Sequence, residues 1–181
     1  MSTTATPLAG TFAADPVHSS FGFAVKYQNV SIFRGTLDDV TARLVAGDDG
    51  VTLEGSARVE SISIRTPEQF RAHVLSDEFF AADRHPEVAF RSQRVELGDD
   101  GTATVEGELV IKGIARPVTA TGTWTPPAPD AFGNERAHLH LEATVDRNDY
   151  DMSWNAPLPT GGQALAADVA LTVDLALVAE A

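Results

Sequence analysis

The chain has 181 residues, enough for one well-buried core and too few for two large ones. Its 26 acidic against 13 basic residues leave a formal net charge of −13, which excludes a phosphate-seeking nucleic-acid binder and disfavours electrostatic docking to an anionic membrane. The composition is 43% apolar, as in a globular domain, and the absence of cysteine excludes disulfides, thiolate metal sites and cysteine nucleophiles. The opening MSTTATPLAGTF has neither a basic nor an apolar signal region, and no run of about 18 apolar residues follows. The expectation is a cytoplasmic protein without stable membrane insertion, with a flexible segment over 1–10 and one domain over 11–181.

In chain order, the pattern is dominated by a period of two, the mark of antiparallel strands wet on one side. Phe21, Phe23, Val25 and Tyr27 share a face. Over 35–45, Leu37, Val40, Ala42 and Leu44 fit one strand if the phase slips once, as at a β-bulge. Val51, Leu53, Gly55, Ala57 and Val59 alternate with polar residues. Thr66-Pro67-Glu68-Gln69 then predicts a helix opened by a capping box with Thr66 as N-cap, carrying Phe70, Val74 and Phe79 or Phe80 on one stripe and ending at Asp83-Arg84-His85-Pro86. Alternation resumes in 88–97, again with a change of parity, then in 103–112, 118–125, 137–147 and 169–178. Gly47-Asp48-Asp49-Gly50 and Gly98-Asp99-Asp100-Gly101 predict hairpin loops, and they lack calcium-loop spacing. The proline-rich 126–136 segment predicts one long hairpin loop.

About eight one-sided strands must curl to hide their apolar face, and a closed barrel and a two-sheet sandwich do so equally well. Small residues recur on the inward faces: Gly55, Ala57, Ala103, Gly107, Ala120, Gly122 and Ala143. They fit a hollow barrel with room for an apolar ligand, and they fit equally a solid core in which glycines mark bends and close packing.

Several stretches carry a resemblance. They are Asp15-x-x-His18-Ser19-x-Phe21-x-Phe23-x-Val25-Lys26, Val30-Ser31-x-Phe33-Arg34-Gly35, and His73-Val74-Leu75-Ser76-Asp77-Glu78-Phe79-Phe80. Further on stand His85-Pro86-x-x-x-Phe90-x-Ser92, Gly107-x-Leu109-x-Ile111-Lys112-Gly113-Ile114-x-x-Pro117-Val118, Arg147-Asn148-Asp149-Tyr150-x-Met152 and Ala167-Asp168-Val169-x-Leu171. In order and spacing, from about residue 11 to 178, the chain resembles the YceI-like, polyisoprenoid-binding proteins. The resemblance implies an all-β fold with one or two short helices, a single elongated eight-stranded lipocalin-like β-barrel. It also implies a hydrophobic pore holding a long isoprenoid or similar amphiphile. Where the family commonly has His, Arg and Gly, this chain has Tyr27, Leu75 and Asp151, which points to a different head group.

The lumen expected from parity and resemblance is lined by Phe21, Phe23, Val25, Phe33, Gly107, Leu109, Ile111, Gly122, Trp124, Leu139, Leu141, Leu171 and Val173. His18, Tyr27, Phe79, Phe80, Arg147, Tyr150 and Trp154 are the candidates for a mouth or head-group site. No catalytic or metal site is expected. Asp15, His18 and Ser19 invite a triad, but neighbouring side chains on a strand point apart, and organising the entry to a strand explains them. His138 and His140 share a polar face as half of a metal site with no third ligand in view. Arg147 and Asp149 read as a turn lock or a head-group contact. The resulting expectation is a non-catalytic carrier or sequestering protein that needs no cofactor, holds an isoprenoid or fatty-acyl lipid, binds no nucleic acid and is compatible with a homodimer. An isomerase- or cyclase-type enzyme would need an inward polar pair. A protein-interaction module would need a large exposed apolar patch.

Overall fold

The computed structural model describes residues 8–181. Its strands are β1 (Gly10–Ala14), β2 (Ser20–Tyr27), β3 (Ser31–Leu37), β4 (Val40–Gly47), β5 (Gly50–Arg58), β6 (Glu87–Leu97), β7 (Thr102–Ile111), β8 (Ile114–Pro129), β9 (Glu135–Asp146) and β10 (Leu165–Ala179). One helix, α1 (Glu68–Leu75), lies between β5 and β6. Of the segment expected to be flexible, residues 1–7 lie outside the described residues, and Gly10 already pairs with Ala46.

The ten strands fill eight positions in a closed antiparallel barrel. Neighbours run β1-β4-β5-β6-β7-β8-β9-β10-β2-β3, and β10 returns to pair with β1. β10 holds β2 along Val169–Asp174 and β1 at Leu177–Ala179, so β1 and β2 are two halves of one broken wall strand. Ser19 spans the break, where its hydroxyl accepts the Ala176 N–H (3.1 Å). β3 and β4 share the next position in the same way, one pairing with β2 and the other with β1 and β5. The phase slip expected as a bulge in 35–45 is therefore a change of strand at Asp38-Asp39. Local parity cannot separate the two cases, because each inserts an odd step.

The parity change in 88–97 is a true bulge, between Ser92 and Arg94. Both acidic-glycine tetrads form hairpin connections, β4–β5 and β6–β7. The 126–136 segment differs from expectation: β8 runs through the prolines to Pro129, after a register shift between Thr125 and Ala128, and the loop is only 130–134. Proline is tolerated there because the ladder is already interrupted.

Helix α1 is shorter than its sequence signals predict. Pro67, not Thr66, is the N-cap and makes no side-chain capping bond, so the capping box does not form. At the other end the Ser76 hydroxyl turns back onto the His73 carbonyl (2.6 Å), the chain becomes extended, and Phe79 and Phe80 fall on the following turns. The crossing from β5 to β6 carries α1 over the end of the barrel at which the β2–β3 and β7–β8 hairpins lie. Arg71 moors it to the Glu60 carbonyl (2.8 Å) and Phe70 packs edge-on against Phe33, with centroids 5.5 Å apart. β3 pairs along its length with β2, its end is held by the 61–63 segment, with Leu37 opposite Ile62, and its Phe33 ring meets Phe70 of the helix.

The core is uneven along the barrel. Away from the helix, Phe12, Leu44, Leu139, Leu177 and Val105 are fully buried and fill the interior. Towards the helix, Leu37, Val59, Ile62 and Tyr150 are as deeply buried, but the inward rings of Phe21, Phe23, Phe33 and Phe80 are only partly so.

Candidate functional site: an aromatic cavity under the helix

Between α1 and the barrel lies a cavity of about 450 Å³. β2 supplies Phe21, Phe23, Val25 and Tyr27, because the period of two points alternate residues inward, and β3 adds Phe33. Phe70, His73 and Val74 come down from α1, and Phe79 and Phe80 from the turn after it. Ile111, Val145, Leu165, Val169 and Leu171 line the opposite wall, Arg147, Tyr150, Met152 and Trp154 complete the lining, and Tyr27 and Phe70 are its most exposed members. Six of the nine phenylalanines and both tyrosines of the chain meet here. Seven rings form two contacting groups, Phe70-Phe33-Phe23-Phe80 and Phe79-His73-Trp154, with Phe23 edge-on to Phe80 (6.5 Å) and Trp154 edge-on to His73 (4.9 Å). Each such pair contributes about 0.5–1.5 kcal/mol beyond simple burial.

A second compartment of about 100 Å³ continues deeper, sharing Phe21, Val88 and Leu171 with the first. Leu109, Leu141 and Val173 line it together with the small residues Gly55, Ala57, Ala120 and Ala143.

Four of the expected lumen residues lie away from both spaces. Gly107 is covered by the ring of Phe90, which would stand 2.6 Å from an added Cβ. Gly122 lies against the main chain of β9 at His140. Trp124 donates its indole N–H to the Gly98 carbonyl (2.8 Å) and plugs the far end, and Leu139 is solid core. What parity does not show is how far along the axis the interior is filled. Phe70, Met152, Leu165 and Val169 also line the cavity without standing among the expected lumen residues. Phe70 carried a helical signal only, and Leu165 precedes the shift that resets the register of β10.

His18, expected at the mouth, sits instead on the outer wall at the β1–β2 break. Its ring bonds Asp15 (2.9 Å), and Asp15 also receives Arg136 (3.0 Å) and the Val17 N–H (2.9 Å). These donors hold the Asp15 carboxyl far below the usual range, with His18 the largest contributor. Ser19 is engaged with Ala176, so no triad exists. His138 and His140 both turn to Asp174 across the strand pair, at 3.5 and 2.8 Å. The Asp174 bond raises the His140 pKa. No group of three or more ligating side chains among the described residues is arranged to hold a metal ion.

Arg147 resolves as a lock. It is only 5% exposed and joins no ion pair among the described residues; burial lowers its pKa, against the opposing pull of the Asp146 charge. Its guanidinium donates to the carbonyls of Ala166 (2.7 Å), Trp154 (2.8 Å), Leu165 (3.1 Å) and Met152, which binds the segment after β9 to the start of β10. Lys112 clamps the same region, reaching the carbonyls of Asp151 (2.7 Å) and Asp77. Tyr150 is 2% exposed, and burial pushes its phenol up, which keeps it neutral. His73, which lines the cavity, is hydrogen-bonded to Glu78 (2.6 Å).

A closed eight-stranded antiparallel barrel with one apolar, ligand-sized cavity under a covering helix defines a lipocalin-like barrel protein. Within that class the sequence is specific: the family model of the YceI-like domain matches residues 12–177, and the chain belongs to that family. A UPF0312 protein of Staphylococcus aureus strain MSSA476 is 30% identical over 162 residues, 87% of this chain and 91% of that protein. Among solved structures, BcnA of Burkholderia cenocepacia superposes with a TM-score of 0.73 at 17% identity, over 92% of this chain and 99% of that one. A polyisoprenoid-binding domain from Saccharophagus degradans superposes with a TM-score of 0.64 at 11% identity, over 93% of this chain and 98% of that one. At these identities the structural matches speak for the fold.

Proposed function

We propose that the protein binds one apolar chain, of isoprenoid or fatty-acyl type, in the aromatic cavity and carries or sequesters it without chemical change. The observation that carries this reading is the cavity itself, about 450 Å³ walled by rings and aliphatic side chains and backed by the smaller compartment. Each methylene transferred from water into such a space contributes roughly 0.8 kcal/mol. The similarity to a domain described as polyisoprenoid-binding supports the same class of ligand. The solid core around Phe12, Leu44 and Leu139 favours a chain that ends inside the barrel over one that runs its full length.

Native mass spectrometry of the purified protein, followed by organic extraction, should reveal a single prenyl or acyl compound at one per chain. Protein that is recovered empty and takes up neither farnesol nor palmitate would overturn the reading. A second reading, an enzyme acting on the same chain, rests on the His73–Glu78 pair at the cavity wall, where a carboxylate-oriented imidazole could move a proton. Conversion of the bound compound that His73→Ala abolishes while binding persists would decide for that reading.

A further inference from the structure

The net charge of −13 is not spread evenly over the surface. From Pro16 to Leu37 the chain contains no acidic residue, and from Met152 to Ala167 it contains no charged residue at all. The fold joins these two stretches at the cavity mouth, where the Gln28 N–H donates to the Ala164 carbonyl (2.7 Å). The β2–β3 hairpin tip there exposes Val30 (86%) and Ile32 (52%). Lys26 pairs across the hairpin with Ile32, and Arg34 lies two residues further along the same outer face. Both cations are exposed, and neither joins an ion pair among the described residues; of the acids at this end, Asp77 is held by Arg84, Glu78 by His73 and Asp151 by Lys112, while Asp146, Asp149 and Asp168 join no ion pair among the described residues. Tyr27, beside the tip, lines the cavity with its ring and is itself partly exposed. Phe70, also partly exposed, packs on the same hairpin.

An apolar tip flanked by unpaired cations, on an otherwise acidic molecule and continuous with the opening of a lipid-sized cavity, has the chemistry of an interfacial anchor. We infer that the β2–β3 hairpin and the neighbouring 157–164 loop dock the protein on an anionic lipid bilayer, with Val30 and Ile32 entering the interface and Lys26 and Arg34 meeting lipid phosphates. This inference rests on the lipid-binding reading for its purpose: the docked face brings the cavity mouth to the surface from which an apolar chain is collected or to which it is delivered. No described helix is long and apolar enough to cross a membrane, and the contact proposed is confined to the hairpin tip and the neighbouring loop. The local cations also answer the objection from net charge, since fields from exposed groups beyond about 10 Å are screened at ordinary ionic strength.

Flotation with lipid vesicles tests the proposal. The full chain should partition onto phosphatidylglycerol vesicles more than onto phosphatidylcholine vesicles, and added salt should weaken the binding. The double variant Val30→Asp/Ile32→Asp should lose about tenfold or more in partition. Lys26→Glu/Arg34→Glu should lose about fivefold per cation, all of it in the salt-sensitive part. Equal partition of wild type and Val30→Asp/Ile32→Asp, or no preference for the anionic vesicles, would overturn the inference. So would a lipid-free dimer that Ile32→Asp disperses, because the patch would then belong to a second copy. Neither Val30 nor Ile32 lines the cavity, so native mass spectra of the double variant should keep the bound chain. A wild-type protein that binds vesicles but no chain would refute the carrier reading and leave the docking surface standing.

Discussion

A Cβ on Gly122 would collide with the main-chain carbonyl of His140 across the β8–β9 ladder, and one on Gly107 with the Phe90 ring. A small residue on an inward face marks either room for a ligand or the place where a neighbour already sits. At Ala57, Ala120 and Ala143 it borders space; at Gly107 and Gly122 it does not, and at Gly55, though it lines the deeper compartment, a Cβ would stand 2.8 Å from the Thr41 main-chain carbonyl. Gly122→Ala should therefore destabilise the barrel by about 1–3 kcal/mol, the usual cost of overpacking, without changing ligand uptake per folded molecule. Urea unfolding gives the first quantity and native mass spectrometry the second. An unchanged midpoint with lost uptake would place Gly122 on the ligand path.

Among elements, the segment from Arg147 to Leu165 owes its shape to one side chain. The guanidinium donates to four carbonyls, and Asn155 adds a bond from its side-chain amide to the Leu165 carbonyl (2.7 Å). Arg147→Met keeps the apolar stem but takes the donor away from the Met152, Trp154 and Ala166 carbonyls, while Leu165 keeps Asn155. A loss of roughly 2–4 kcal/mol in chemical denaturation is expected, together with faster hydrogen exchange over 152–166. Ordinary stability with wild-type exchange would mean that the loop holds itself. This segment also shows where the sequence stopped being informative. Strands such as 137–147 were legible because parity repeats over many residues, and the bulge after Ser92 was legible as a single break in it. Met152 and Trp154 follow no period, since their positions depend on bonds from Arg147 and not on any repeat. The end of α1 was misplaced for a related reason. Phe79 and Phe80 keep a helix-like spacing, while the Ser76 hydroxyl and its extended backbone have already ended the helix.

For the molecule as a whole, the decisive quantity is how much of the barrel axis is empty. The resemblance implied a long pore, but the larger space lies under α1, the smaller one behind it, and Phe12, Trp124 and Leu139 pack the far end. Phe21, Val88 and Leu171 stand between the two compartments, so the depth to which a bound chain reaches is set at that ring of residues. Phe21→Ala removes the largest of the three and merges a space of about 450 Å³ with one of about 100 Å³. Ala143→Leu does the reverse, filling the deeper compartment without touching the upper one. Offered a graded series of prenyl alcohols in competition, wild-type protein should show a length cut-off in native mass spectra. Phe21→Ala should move that cut-off upward by about one isoprene unit or more, despite a stability cost of about 3 kcal/mol for the lost ring. Ala143→Leu should move it downward or leave chains in the upper cavity alone. If both variants keep the wild-type cut-off, the chain does not reach this ring, and its length is sensed at the mouth by Tyr27, Phe79 and Trp154 instead.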